Sequence, residues 1–108
     1  MTYEKEYYLW KDNPLSYWEN KAKKIEWFKK WDVTLETKNR PFYRWFVGGK
    51  LNTCFNCVDR HVNNGKGNKV AIIYDSPVTK TKKNITYKDL LDQVSRLANA
   101  YEKLGVKK

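Results

Sequence analysis

Between Pro41 and Val62 the chain sets four aromatics in five positions (Phe42, Tyr43, Trp45, Phe46), breaks at Gly48-Gly49, and restarts at Asn52 or Thr53. Rings this dense have to be packed against something, because aromatic side chains dominate core energetics wherever they are buried. The glycine pair lets the chain turn directly after them. Asn52 or Thr53 then opens a predicted helix as its cap. An aromatic knot, a turn and a capped helix in so few residues read as a pin that holds an N-terminal segment onto a larger body.

The rest of the chain falls into two compositional halves, with all five tryptophans (Trp10, Trp18, Trp27, Trp31, Trp45) in the first and the aliphatic runs in the second. Asn13-Pro14 predicts a helix start, Asn as cap and Pro where its missing N–H costs nothing. Leu15, Trp18, Ala22 and Ile25 follow at helical spacing as one apolar face. Val33-Thr34-Leu35 reads as a short extended piece, and Pro41 biases Arg40 toward extended geometry.

In the second half, Cys54, Cys57, Val58, His61 and Val62 share a side of the predicted helix, which Asn63-Asn64-Gly65 ends. Val70 to Tyr74 is a continuous β-branched run that reads as a strand buried on both faces. Asp75-Ser76-Pro77 turns the chain, and a lysine-rich loop (Lys80, Lys82, Lys83) leads to a second short strand at Ile85-Thr86-Tyr87. Thr86 and Asp89 approximate a capping box, after which Leu90, Val94, Leu97, Tyr101 and Leu104 alternate steps of four and three. Asp92 and Arg96 have i,i+4 spacing. Gly105 closes the helix, and Val106 reads as the lead-in to another strand. There is no internal repeat.

Length places the 108 residues within one domain or part of one. Hydrophobic content of 41% argues against disorder. Lys and Arg outnumber Asp and Glu by 22 to 12, a formal charge of +10 that points weakly to acidic partners. No apolar run reaches membrane-span length, and two cysteines are too few for a disulfide framework, which suggests a reducing, intracellular setting. The first dozen residues, with Glu4, Glu6 and Asp12, fit neither a secretory nor a transit signal.

Several constellations invite chemistry. Cys54-Phe55-Asn56-Cys57 is a C-x-x-C, yet with His61 it supplies too few ligands for structural zinc, and the pair reads as small core residues. His61 has no facing acid-base partner, since Asp59 lies two residues away on the same helix. Gly65-Lys66-Gly67-Asn68-Lys69 precedes a strand, whereas a phosphate loop follows one, and Gly48-Gly49-Lys50 lacks the first glycine of such a loop. Lys29, Lys30 and Trp31, with Arg40, Phe42, Tyr43, Arg44 and Trp45, interleave charge and rings as single-strand nucleic-acid binders do, but at core-like spacing.

Phe42-Tyr43-Arg44-Trp45-Phe46-Val47-Gly48-Gly49-Lys50-Leu51-Asn52, followed by Asn56-Cys57-Val58-Asp59-Arg60-His61, resembles the N-terminal signature of short-chain acyl-CoA synthetases, the adenylate-forming acetate and propionate CoA ligases. The likeness extends from Asn13-Pro14, through Tyr17-Trp18 and Ile25-x-Trp27-Phe28, to Asn64–Thr79 and Ile85–Leu90, then Leu97-Ala98-Asn99 and Leu104-Gly105-Val106. Arg44-Trp45-Phe46 and Tyr74-Asp75-Ser76-Pro77 look closer to the propionate-type branch.

The resemblance implies an α/β fold: a helical, aromatic N-terminal segment over residues 1–62, then the first strands and helix of the large AMP-binding domain over residues 63–108, incomplete. It implies carboxylate, ATP and CoA as substrates, giving acyl-CoA, AMP and pyrophosphate, with Mg²⁺ as cofactor. The family's triphosphate loop, ribose-binding acid and lid lysine match no position here. No catalytic, cofactor-binding or metal-binding residue is therefore assigned, and the chain alone is expected to be an inactive fragment. The expected partner is the remainder of the synthetase body, with an unpaired strand edge and the apolar side of the Leu90–Leu104 helix left open to it. No membrane association is expected, and the location expected is cytoplasmic or, if an N-terminal transit segment is missing, the mitochondrial matrix. The competing reading is a small basic module that binds nucleic acid or a protein.

Overall fold

The computed structural model describes residues 2–107, and their packing divides between Asn52 and Thr53 into a first and a second unit. In the first unit, α1 (Tyr3–Asp12) and α2 (Pro14–Ala22) meet at Asn13. The predicted cap is present: Asn13 Oδ1 accepts from the Ser16 amide at 3.0 Å, with Pro14 at the first helical position. α2 stops at Ala22, so Ile25 lies beyond the helix whose face it was expected to join. Of that face only Ala22 is buried, while Leu15 and Trp18 stay exposed.

α1 is an element the sequence reading does not assign. Tyr3, Tyr7 and Trp10 share one side, but Tyr8 and Leu9 fall elsewhere, so no single apolar stripe announces a helix. It is supported instead by rings three and four residues apart, with centroids at 6.2 Å (Tyr3–Tyr7) and 6.0 Å (Tyr7–Trp10). Glu4 and Glu6 in its first turn and Lys11 in its last complement the helix dipole.

The aromatic run forms the centre of the first unit. β1 (Val33–Glu36), the predicted extended piece, pairs antiparallel with β2 (Arg44–Val47), which carries the knot. Between them the Arg40–Pro41 peptide is cis. Phe46 takes a positive φ of 50°, a costly conformation for a bulky side chain. That backbone places its ring 5.5 Å from Trp27 and 5.1 Å from Trp31, which themselves meet edge-on at 4.9 Å. Both indoles find acceptors, Trp27 Nε1 donating to the Ala22 carbonyl at 2.9 Å and Trp31 Nε1 to Thr34 Oγ1 at 3.1 Å. The glycine pair is a packing requirement: a Cβ on Gly48 would overlap the Asp32 carboxylate, and one on Gly49 would sit 2.6 Å from Trp27 Cζ3.

The second unit starts with helical turns that widen into π-helix at Phe55–Asp59 and Val62–Lys66, and the chain leaves helical geometry at Asn64 and Gly65 (φ +75°), where the sequence predicts the end. β3 (Val70–Ser76) and β4 (Thr81–Thr86) then form an antiparallel hairpin. β4 begins earlier than predicted. Lys82 lies opposite Asp75 with a 2.8 Å ion pair and Lys83 lies opposite Tyr74, so of the predicted lysine-rich loop Lys80 stays in the turn while Lys82 and Lys83 are strand. A four-residue turn can join only antiparallel neighbours, and both sheets among the described residues are two-stranded and antiparallel. The architecture is thus mixed helix and sheet, as expected.

α3 (Tyr87–Lys103) carries the full capping box: Thr86 Oγ1 accepts from the Asp89 amide at 3.2 Å, and the Asp89 carboxylate accepts from the Thr86 amide at 3.1 Å. At its other end Gly105 (φ +81°) donates to the Glu102 carbonyl and Val106 to that of Tyr101, both at 3.0 Å, a Schellman closure. β3 is not buried on both faces as the sequence predicts, and Ile73 is 80% exposed. The apolar run anticipates layers on both sides of the strand, and the second unit supplies only α3.

Burial is sparse throughout: Ala22, Trp31 and Val58 are the described residues of the hydrophobic core. The accessible surface is 9250 Å². Two separate globular domains of half this mass would together expose about 7,700 Å². The chain thus exposes roughly 1,600 Å² more than compact domains of its mass do on average.

Candidate functional site

The structure separates the residues that sequence inspection singled out for chemistry. Cys54 and Cys57 are both exposed, which corrects their reading as core residues. The helical segment that carries them packs on α3 through Val58, which is buried, and through His61, whose ring lies 4.9 Å from that of Tyr87. Among the described residues no three His, Cys, Asp or Glu side chains converge as metal ligands.

The 65–69 loop serves the start of α3. The Tyr87 amide donates to the Lys69 carbonyl and the Lys88 amide to the Gly67 carbonyl, each at 3.0 Å, while the Asp89 amide is taken by Thr86. A phosphate bound at a helix start needs those free amides. Here the loop presents carbonyl oxygens to them, so a nucleotide phosphate has no cradle at this point.

Part of the basic and aromatic set of the first unit is likewise engaged internally. Trp31 is buried in the ring cluster, with Lys30 Nζ 5.5 Å from its centroid. Lys29 pairs with Asp32 at 3.3 Å and Arg44 with Glu36 at 3.6 Å. Phe42 and Tyr43 remain exposed. A stacking platform for bases needs free ring faces beside free cations, and Trp31 offers neither.

A cleft of about 290 Å³ lies between α1 and α2, lined by Glu6, Leu9, Tyr17, Lys21 and Lys24 among others. Glu6 and Lys21 close at 2.8 Å across it, and the Lys21 ammonium lies 4.9 Å from the Tyr17 ring centroid. Hydrogen bonds from Lys21 and then Tyr17 hold the Glu6 carboxyl below its ordinary range, and the same bond to Glu6 raises Lys21. With its charges mutually neutralised, the cleft reads as a helix–helix tie rather than a catalytic pair.

What remains is an open surface. On α3 the stripe that begins half-buried at Leu90 and Val94 runs out to Leu97, Tyr101 and Leu104, which are 53%, 51% and 79% exposed. Ile73 on β3 is a second exposed apolar side chain of the second unit. An amphipathic helix whose apolar stripe meets water along half its length is shaped for a layer that the second unit does not contain.

Comparison with known proteins gives this surface a context. The chain is 56% identical over 96 residues to the human protein named acyl-CoA synthetase short-chain family member 3, mitochondrial, covering 89% of this chain and 14% of that one. The mouse protein of the same name is 53% identical with the same coverage. An acetyl-coenzyme A synthetase of Pyrobaculum aerophilum is 44% identical over 104 residues, covering 90% of this chain and 16% of its own length. The chain thus spans about one-seventh of the length of these relatives. Residues 3–57 match the family described as acetyl-coenzyme A synthetase N-terminus, α1 through the aromatic cluster to the first turns of the cysteine-bearing helix. The chain belongs to that family.

Proposed function

We propose that this chain is the N-terminal part of an AMP-forming short-chain carboxylate–CoA ligase, a system that converts carboxylate, ATP and CoA to acyl-CoA, AMP and pyrophosphate. Residues 1–62 supply the synthetase-type N-terminal segment and residues 63–108 the opening of the AMP-binding domain. The ATP, Mg²⁺ and CoA sites belong to the remaining body, and no residue of this chain is catalytic. The observation that carries this reading is the exposed Leu97–Tyr101–Leu104 stripe in a chain whose relatives continue for several times its length.

Propionate is the favoured substrate over acetate. Support comes from Arg44-Trp45-Phe46 and Tyr74-Asp75-Ser76-Pro77, which look closer to the propionate-type branch. Those eukaryotic relatives are mitochondrial by name, which supports a mitochondrial location over a cytoplasmic one. No helix among the described residues is long and apolar enough to cross a membrane.

The test is carboxylate-dependent ATP–pyrophosphate exchange with propionate and with acetate. The 108-residue chain alone should give none. Adding a polypeptide that spans the rest of a relative's length should restore exchange, faster with propionate. Exchange by the 108 residues alone, or a body equally active without them, would overturn the proposal.

A further inference from the structure

We draw no further inference here: the strongest candidate, the Leu97–Tyr101–Leu104 stripe along the second half of α3, belongs to the surface already assigned to the rest of the synthetase, and nothing in the structure shows what covers it.

Discussion

The aromatic cluster of the first unit and the α3–hairpin arrangement of the second handle apolar surface in opposite ways. Trp27, Trp31 and Phe46 turn toward one another, the two indoles donate their N–H groups to local acceptors, and Trp31 is buried to 7% exposure within some twenty residues of chain. α3 and β3 hold equally apolar side chains in well-formed elements, yet leave Leu97, Tyr101, Leu104 and Ile73 in water. Good caps and good registers thus build an element without giving it a core. Large rings can satisfy each other locally, whereas an aliphatic stripe on a single helix needs a second layer.

The sharpest way to break the contrast is Trp31→Ala. Removing a buried indole costs about 3–5 kcal/mol, and the first unit should lose its fold while α3 keeps its helical far-UV signal. Because all five tryptophans lie before residue 46, their fluorescence reports the first unit alone. If α3 melts together with that fluorescence, the two regions are not independent. Gly49→Ala should act on the same cluster by overpacking, at about 1–3 kcal/mol, since the added Cβ meets the Trp27 ring. A lowered urea midpoint of tryptophan fluorescence checks it.

Thr86→Ala probes the other region. Loss of the cap should cost about 1 kcal/mol of α3 stability, seen as reduced helical ellipticity with the tryptophan midpoint unchanged. The smallest effect concerns pH. Glu6 is held below its ordinary value of 4.5, so its contribution to the α1–α2 tie is present above that pH and lost as pH falls through the depressed value. Lys21, raised above 10.5, keeps its share at every lower pH and loses it only as pH rises past that value. Glu6→Gln should therefore flatten the acid limb of the tryptophan-monitored stability curve and leave the second unit's response unchanged.

Much of this was legible in the residues. Asn13-Pro14, Thr86 with Asp89, Gly65 and Gly105 each specify local backbone by their own chemistry, and each sits where that chemistry placed it. The family was legible as well, from the Phe42–His61 signature. What escaped was decided at a distance. β4 extends through Lys82 and Lys83 because Asp75 and Tyr74 stand opposite them, a cross-strand fact that a run of lysines does not announce. Burial of Val70–Tyr74 and of the two cysteines depends on which layers are present, and period and residue type cannot say that. α1 is not announced by the sequence because Tyr8 and Leu9 fall off the side that Tyr3, Tyr7 and Trp10 share, so no single apolar stripe stands out.

Amide hydrogen exchange on the isolated 108-residue chain tests the central contrast most directly. The Asp32 and Lys50 amides, bonded to Val47 and Lys29 around the ring cluster, should exchange slowest in the chain, whereas α3 amides from Leu97 onward should exchange close to the rate of an isolated helix. Equal protection at Lys50 and at Tyr101 would mean that the second unit closes its own apolar surface, and the account of an open face awaiting a synthetase body would be wrong.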